Sequence, residues 1–179
     1  EPGSYIVQSG GPVNDGFGAA LSGVGAAIVS YIPNQAYLVR VSAAGAEALR
    51  GHPRTQAVLV YEPYYKLKSS LLGLGVRGEA LPEGARLNVL GFADAAVETR
   101  GALEQLGAEV LAEARSPFGP VWTVKPAVAG WTELARLPGV QVVEWYRERV
   151  VANDLSRVRL GMATNTLVAT NYLELTGSN

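Results

Sequence analysis

The chain carries two copies of one pattern, and this repeat constrains the fold more than any other feature. The stretch "LSGVGAAIV" (Leu21–Val29) lines up with "LEQLGAEVL" (Leu103–Leu111) at an offset of 82 residues, and "HPRTQAVLVY" (His52–Tyr61) with "LPGVQVVEWY" (Leu137–Tyr146) at an offset of 85. The three extra residues fall between the matched blocks, where the second copy has the turn-rich "RSPFGP". An insertion confined to a hairpin tip is what two copies of one fold should show.

Each copy reads as six elements. In the first, "SYIVQSG" is a strand, and Asn14 or Asp15 is a plausible cap for a helix that carries Phe17, Ala20, Leu21 and Val24 at helical spacing and stops at Gly25. "AAIVSYI" and "AYLVRV" are β-rich runs split by the hairpin signal "PNQ". "AAGAEALRG" is a second helix, and "QAVLVYEPYYKL" a closing strand. In the second copy "RLNVLGF" is the first strand, Asp94 caps a helix ending at Gly107, and "AEVLAEA" and "VWTVKP" form the hairpin. "GWTELARL" places Trp131, Leu134 and Ala135 on one face, and "VQVVEWYRERV" closes the unit. The order βαββαβ, twice, is the split βαβ or ferredoxin-like arrangement. The expected fold is therefore α+β: two four-stranded antiparallel sheets, each with two helices on one face, plus a C-terminal extension. The expected boundaries are 1–70 for the first unit, 71–85 for a linker in the Gly/Ser-rich "SSLLGLGVRGEALPEG", 86–153 for the second unit and 154–179 for the extension.

Such units serve as nucleic-acid readers, regulators, enzymes and propeptides, so function has to come from the site. A net charge of −1 gives no bulk attraction to nucleic acid or anionic membranes. The strand aromatics Tyr5, Tyr37, Trp122 and Trp145 are expected as core or cross-strand partners rather than a base-stacking platform. No apolar run approaches the ~20 residues of a membrane span. With no cysteine and a single histidine, neither a disulfide nor a thiolate metal site is available, and no metal or other cofactor is expected. A Ser–His–Asp triad would have to use His52, which precedes Pro53 in a helix-to-strand turn and reads as a plain surface residue; no Gly-x-Ser-x-Gly elbow accompanies it. "GLGVRG" lacks the Lys-Ser/Thr and the strand-to-helix setting of a phosphate loop, and Glu144 with Glu148 reads as a solvated strand edge. No catalytic residues are expected within the chain.

The C-terminal part carries a resemblance. "NYLELTGSN" (Asn171–Asn179) is similar to the segment of subtilisin-like serine proteases that stands just before the strand bearing the catalytic aspartate. Upstream, "VVEWYRERVVAND" resembles the end of that family's propeptide: a last strand with acidic residues, then a short Val/Ala-rich tail at the processing site. The resemblance covers residues 86–179 directly and 1–80 only through the repeat. It departs from the family in having two propeptide-like units where one is usual, and in lacking the catalytic Asp, His and Ser motifs. It implies a prodomain of a secreted or cell-envelope protease, with its signal peptide removed, that is not itself an enzyme. Its partner would be the subtilisin-like catalytic domain of the same precursor. Val150, Val151, Ala152, Asn153 and Asp154 would then lie in the protease cleft as a product-like strand. Glu148 would face helix N-termini on the enzyme surface.

A rival expectation is a regulatory module, with two ferredoxin-like units binding a small ligand between them or a protein partner; Gly-rich turns such as "SGGPVNDG" suit it. The apolar residues of the extension, Val158, Leu160, Met162, Leu167, Val168, Leu173 and Leu175, are expected to pack on the two units or on a neighbouring molecule.

Overall fold

Burial alternates along Leu87–Gly91 and Gly119–Lys125 of the second sheet, which is buried on one face and half-buried on the other, whereas Ala36–Val41 of the first sheet is buried on both faces, at Leu38 and Arg40 as well as at Val39 and Val41. The structure is a computed structural model that describes residues 2–127, 130–148 and 159–160. Every strand and helix named below lies in the unit Glu1–Tyr146. The first module runs β1 (Gly3–Ser9), α1 (Asp15–Gly23), β2 (Ala27–Ile32), β3 (Ala36–Val41), α2 (Ala43–Arg50) and β4 (Thr55–Val60). Two helices follow, α3 (Pro63–Lys66) and α4 (Ser69–Arg77). The second module runs β5 (Leu87–Gly91), a single 3-10 turn (Ala93–Ala95), α5 (Ala96–Gln105), β6 (Glu109–Ser116), β7 (Gly119–Lys125), α6 (Glu133–Arg136) and β8 (Val140–Trp145). The sheet orders are β2-β3-β1-β4 and β6-β7-β5-β8, with antiparallel neighbours throughout. Both are the ferredoxin-like arrangement expected from the sequence.

The repeat holds at the level of register. Val7 opposes Tyr37 and Val58 in the first sheet, and Val89 opposes Trp122 and Val143 in the second. These pairs keep the offsets of 82 and 85. The bulges repeat too: the register shifts at Gln8/Ser9 and again at Leu90/Gly91, and at Ile28/Ser30 and again at Val110/Ala112. The first α-helix of each module, α1 and α5, ends in the same way. Gly25 and Gly107 take positive φ values of 70° and 76°, and their N–H groups donate to Ser22 O and Glu104 O at 2.9 Å. The next residues, Ala26 and Ala108, donate to Leu21 O and Leu103 O, which completes a Schellman cap that glycine alone enters without strain.

Each module has its own core on the helix-bearing face. Val7, Val39, Val41 and Val58 meet Phe17, Leu21, Ala46 and Leu49 in the first. Leu87, Val89, Trp122, Val124 and Val143 meet Leu103, Leu134 and Ala135 in the second. Trp131, Leu134 and Ala135 are buried together as expected. The strand aromatics also point to this side. Trp122 is fully buried, Tyr37 stacks on Phe17 at 6.2 Å, and Tyr5 and Trp145 pack at the core margins.

Four local readings are corrected. The closing strand of the first copy stops at Val60, because Pro63, with φ fixed and no N–H to lose, begins the helical turn α3. The Gly/Ser-rich stretch read as a linker is largely helix α4, whose Leu71 is fully buried in the second core with Leu67, Leu74 and Leu81 packed against it. Residues 67–81 thus pack with the second sheet, and the helix ends at Gly78 with φ 65°. Asp94 does not cap α5; it sits in the 3-10 turn, and its carboxylate is taken by Arg40 of the first module. Finally, β8 ends at Trp145 rather than running on through the arginines.

Candidate functional site

The two modules are joined by charged and polar groups, of which Arg40 is presented by a strand and the others by the turns and helices around the sheets. In "AYLVRV" the alternation sends Val39 and Val41 into the first core and Arg40 to the opposite face. There Arg40 is 7% exposed. Its Nε donates to Asp94 Oδ2 at 3.2 Å, Nη2 lies 3.2 Å from the same oxygen in an ion pair, and the guanidinium lies 4.6 Å from the centre of the Phe92 ring. Nη1 is buried and has no hydrogen-bond partner among the described residues. Asp94 is 47% exposed, so the pair is buried on one side only.

Two further bonds join the modules. Lys66 on α3 is buried and donates from Nζ to Leu137 O at 2.8 Å. Burial, and then the nearby Arg40 charge, lower its pKa to about 8, with Glu62 opposing the shift. Tyr61 donates from its hydroxyl to Gln141 O at 3.2 Å, and burial raises its pKa. Gln141 is itself buried and donates from Nε2 to Gly91 O, beside the bulge at Leu90/Gly91, at 2.6 Å and to Phe118 O in the β6–β7 turn at 2.7 Å.

Beside this contact lies a cleft of about 420 Å³. Its walls are Arg40 from β3, Asp94 and Ala95 from the 3-10 turn, Glu98, Thr99 and Ala102 from α5, and the Leu137–Pro138–Gly139 loop before β8, with Pro2 at one side. The close approach of that loop to α5 requires Gly139, where a Cβ would overlap Thr99 Oγ1.

The second sheet also has an open face. Val121, Leu90 and Val142 form one cross-strand row, and Thr123, Asn88 and Glu144 the next. Leu90, Val121 and Val142 are half-buried and Glu144 is exposed. Thr123 Oγ1 donates to Asn88 Oδ1 at 2.9 Å.

Of the residues singled out in the sequence, Glu148 is exposed and lies three positions beyond the end of β8. Val150, Val151, Ala152, Asn153 and Asp154 lie outside the described residues. Of the apolar residues of the extension only Leu160 is described, and it is exposed. His52 sits in the turn before β4, where its Nδ1 accepts the Arg54 N–H at 3.2 Å, a local turn contact. No group of three or more His, Cys, Asp or Glu among the described residues is placed to hold a metal. No helix among the described residues is long and apolar enough to cross a membrane.

Sequence reasoning did not single out Arg40 or Lys66. The signal for Arg40 was present: a cation in the middle of an apolar strand, out of phase with its neighbours. Lys66 had none, because it was read as part of a strand.

A family model described as "Domain of unknown function (DUF8729)" matches residues 1–62. The match begins before β1 and ends two residues after β4, so it coincides with the first module, about a third of the chain. No curated protein and no solved structure matches the chain.

Proposed function

We propose that this chain is the prodomain of a subtilisin-like serine protease, a temporary inhibitor and folding aid for the catalytic domain of its own precursor. The observation that supports this reading most is the build of the second module. Its two helices cover one face of the sheet, the other face is half-exposed, and its last strand leads directly into the Val/Ala-rich segment with Glu148 at its start. A sheet with one free face can lie on the surface helices of an enzyme. The segment after it can enter the substrate cleft as an added strand, with backbone pairing for affinity and alternate side chains for subsites. A carboxylate at Glu148 suits the unpaired N–H groups and positive end of a helix on the enzyme. Subtilisin-like domains contain parallel, non-local strand pairings that form slowly. A module that folds first and holds part of that arrangement lowers the barrier, and the same contacts block the finished site until the prodomain is cut. A secreted or cell-envelope location follows from this reading.

Inhibition of the protease encoded with this chain tests it. The purified chain is expected to inhibit tightly, and deletion of Val150 to Asp154 to weaken inhibition at least ~100-fold, the scale of losing a multi-residue strand contact. A folded chain that neither inhibits that enzyme nor speeds its refolding would refute the proposal.

A further inference from the structure

The strands β2 and β6 are equivalent sheet edges. Each pairs with one neighbour, β3 or β7, and no strand among the described residues covers its other side. Their sequences differ in character. β6 carries Glu109, Glu113 and Arg115, and Glu113 is held by Arg100 of α5 at 3.7 Å. Charges of this kind discourage another strand from pairing with an edge. β2, "AIVSYI", has no charge and no proline, and its Ile28 and Tyr31 are 48% and 58% exposed. At the offset of 82, Tyr31 stands where the second copy has Glu113, and Ala27 where it has Glu109. The bulge at Ile28/Ser30 sets which side chains an added strand would meet. Ile28 opposes Val39 and Tyr31 opposes Tyr37, so both lie on the helix-bearing face although they are three positions apart. Ala27, Ser30 and Ile32, opposite Arg40, Leu38 and Ala36, lie on the other face. Tyr31 is held in place, with its ring edge-on to Tyr37 at 5.7 Å and its hydroxyl accepting the Gln35 N–H at 3.4 Å.

We infer that β2 is a self-association edge, through which two copies of this chain pair antiparallel about a two-fold axis between Val29 and Ser30. In that register Ile28 of each copy faces Tyr31 of the other, and Ala27 faces Ile32. Directly opposed residues of an antiparallel pair share a face, and both pairs obey this because the bulge has already brought Ile28 and Tyr31 to one side. A β-branched residue against an aromatic one is a favourable cross-strand pair, and it covers the two most exposed side chains of the strand. A neutral strand does not repel its own copy. The same register in β6 would set Val110 against Glu113 and draw that carboxylate into the seam, so the second module's edge is unsuited to it. The contact is isologous: it joins two four-stranded sheets into one and then closes. An edge of six residues is small beside the ~800 Å² per partner of a standard interface, so the dimer is weak and forms with concentration. The inference stands apart from the prodomain reading, since neither the open face of the second sheet nor the residues after Tyr146 take part.

Sedimentation velocity of the full chain from ~5 to ~500 µM tests it, and a monomer–dimer equilibrium with Kd on the order of 10–100 µM is expected. Tyr31→Glu gives β2 the charge that the second copy has at this place and is expected to raise Kd at least ~30-fold. Ile28→Lys alone, at an exposed position, should give a similar loss, and it covers the case in which Tyr31→Glu disturbs the Tyr37 contact and the fold. Ile28→Lys combined with Tyr31→Glu sets opposite charges against each other across both pairs, and should bring Kd back to within ~5-fold of wild type. Only the stated register predicts that recovery. A chain that is monomeric at ~500 µM, which would leave the edge to a strand of another protein, overturns the inference. So does a dimer untouched by the single variants, a double variant without recovery, or assembly growing past the dimer, as head-to-tail pairing of β2 with β4 would give.

Discussion

Removing the Asp94 carboxylate should cost more than removing the arginine it binds. In Asp94→Ala the Arg40 guanidinium stays 93% buried with only the Phe92 ring beside it, since Nη1 already lacks a partner and Nε and Nη2 lose theirs. Breaking a fully buried pair from one side costs about 3–5 kcal/mol. Asp94 is 47% exposed, so water can follow into the vacated space and recover part of this. The loss is then closer to that of a charged hydrogen bond, about 2 kcal/mol. For a unit of this size that corresponds to a drop in Tm of about 4–8 °C. Arg40→Met behaves differently. It removes the buried cation, keeps an unbranched chain over Phe92, and leaves a carboxylate that water already reaches, so it should cost about 1 kcal/mol or less. The double variant should be no less stable than Arg40→Met alone. Urea unfolding of the four proteins gives the cycle. If Asp94→Ala lies within ~0.5 kcal/mol of wild type, or if Arg40→Met is the more damaging single change, the pair does not hold the modules as described.

Two other predictions concern the segment between the modules. Lys66 has a folded pKa of about 8 against an ordinary value of 10.5, so between these pH values the unfolded chain holds a proton that the folded one lacks. Stability should therefore rise as pH increases from 8 towards 10, by no more than about 3 kcal/mol in all, and Lys66→Met should flatten the rise; equal slopes in urea titrations of the two proteins at pH 7.5 and 9.5 would refute the assignment. Leu71→Ala should cost about 2–4 kcal/mol, because the side chain is fully buried in the second core. A linker residue would cost almost nothing, and the urea midpoint separates the two.

What was legible in the sequence was local or repeated. The Gly25 and Gly107 caps, the Asn14 cap that accepts the Phe17 N–H at 3.1 Å, and the strand alternation all follow from short-range rules. Because each signal occurs twice, one copy supports the other. The contact between modules was not legible, because it uses positions at which the copies differ. At an offset of 85, Arg40 corresponds to Lys125, which is exposed, and at 82 Asp94 corresponds to Pro12. Asp94 precedes a helix, so a local rule assigns it to capping; a buried guanidinium outside its own module competes for the same carboxylate and wins. The segment 69–77 was misread for a related reason. Its glycines and serines suggest a linker, yet Leu71 and Leu74 lie one turn apart on a single face, and the second core supplies what their propensity lacks.

The divergence of the two copies after their last strands separates their roles. The chain leaving β4 turns at Pro63, and Leu67 then forms a parallel bridge to Val143, with Lys68 N–H donating to Val143 O at 3.0 Å. The exit segment of the first module is thus spent on the outer edge of β8, which would otherwise present unpaired backbone groups to any passing strand. This leaves a partner of the second module little access at that edge and directs it to the open face, where the Val121–Leu90–Val142 row offers apolar area and Glu144 a charge. On the corresponding face of the first sheet the row equivalent to Thr123–Asn88–Glu144 is Leu38–Ile6–Leu59, in which Leu38 is 4% exposed. The two faces are therefore not interchangeable, although the folds beneath them are. In the prodomain reading, the second module makes the contact with the enzyme, and the first covers an edge of the second and builds one wall of the cleft.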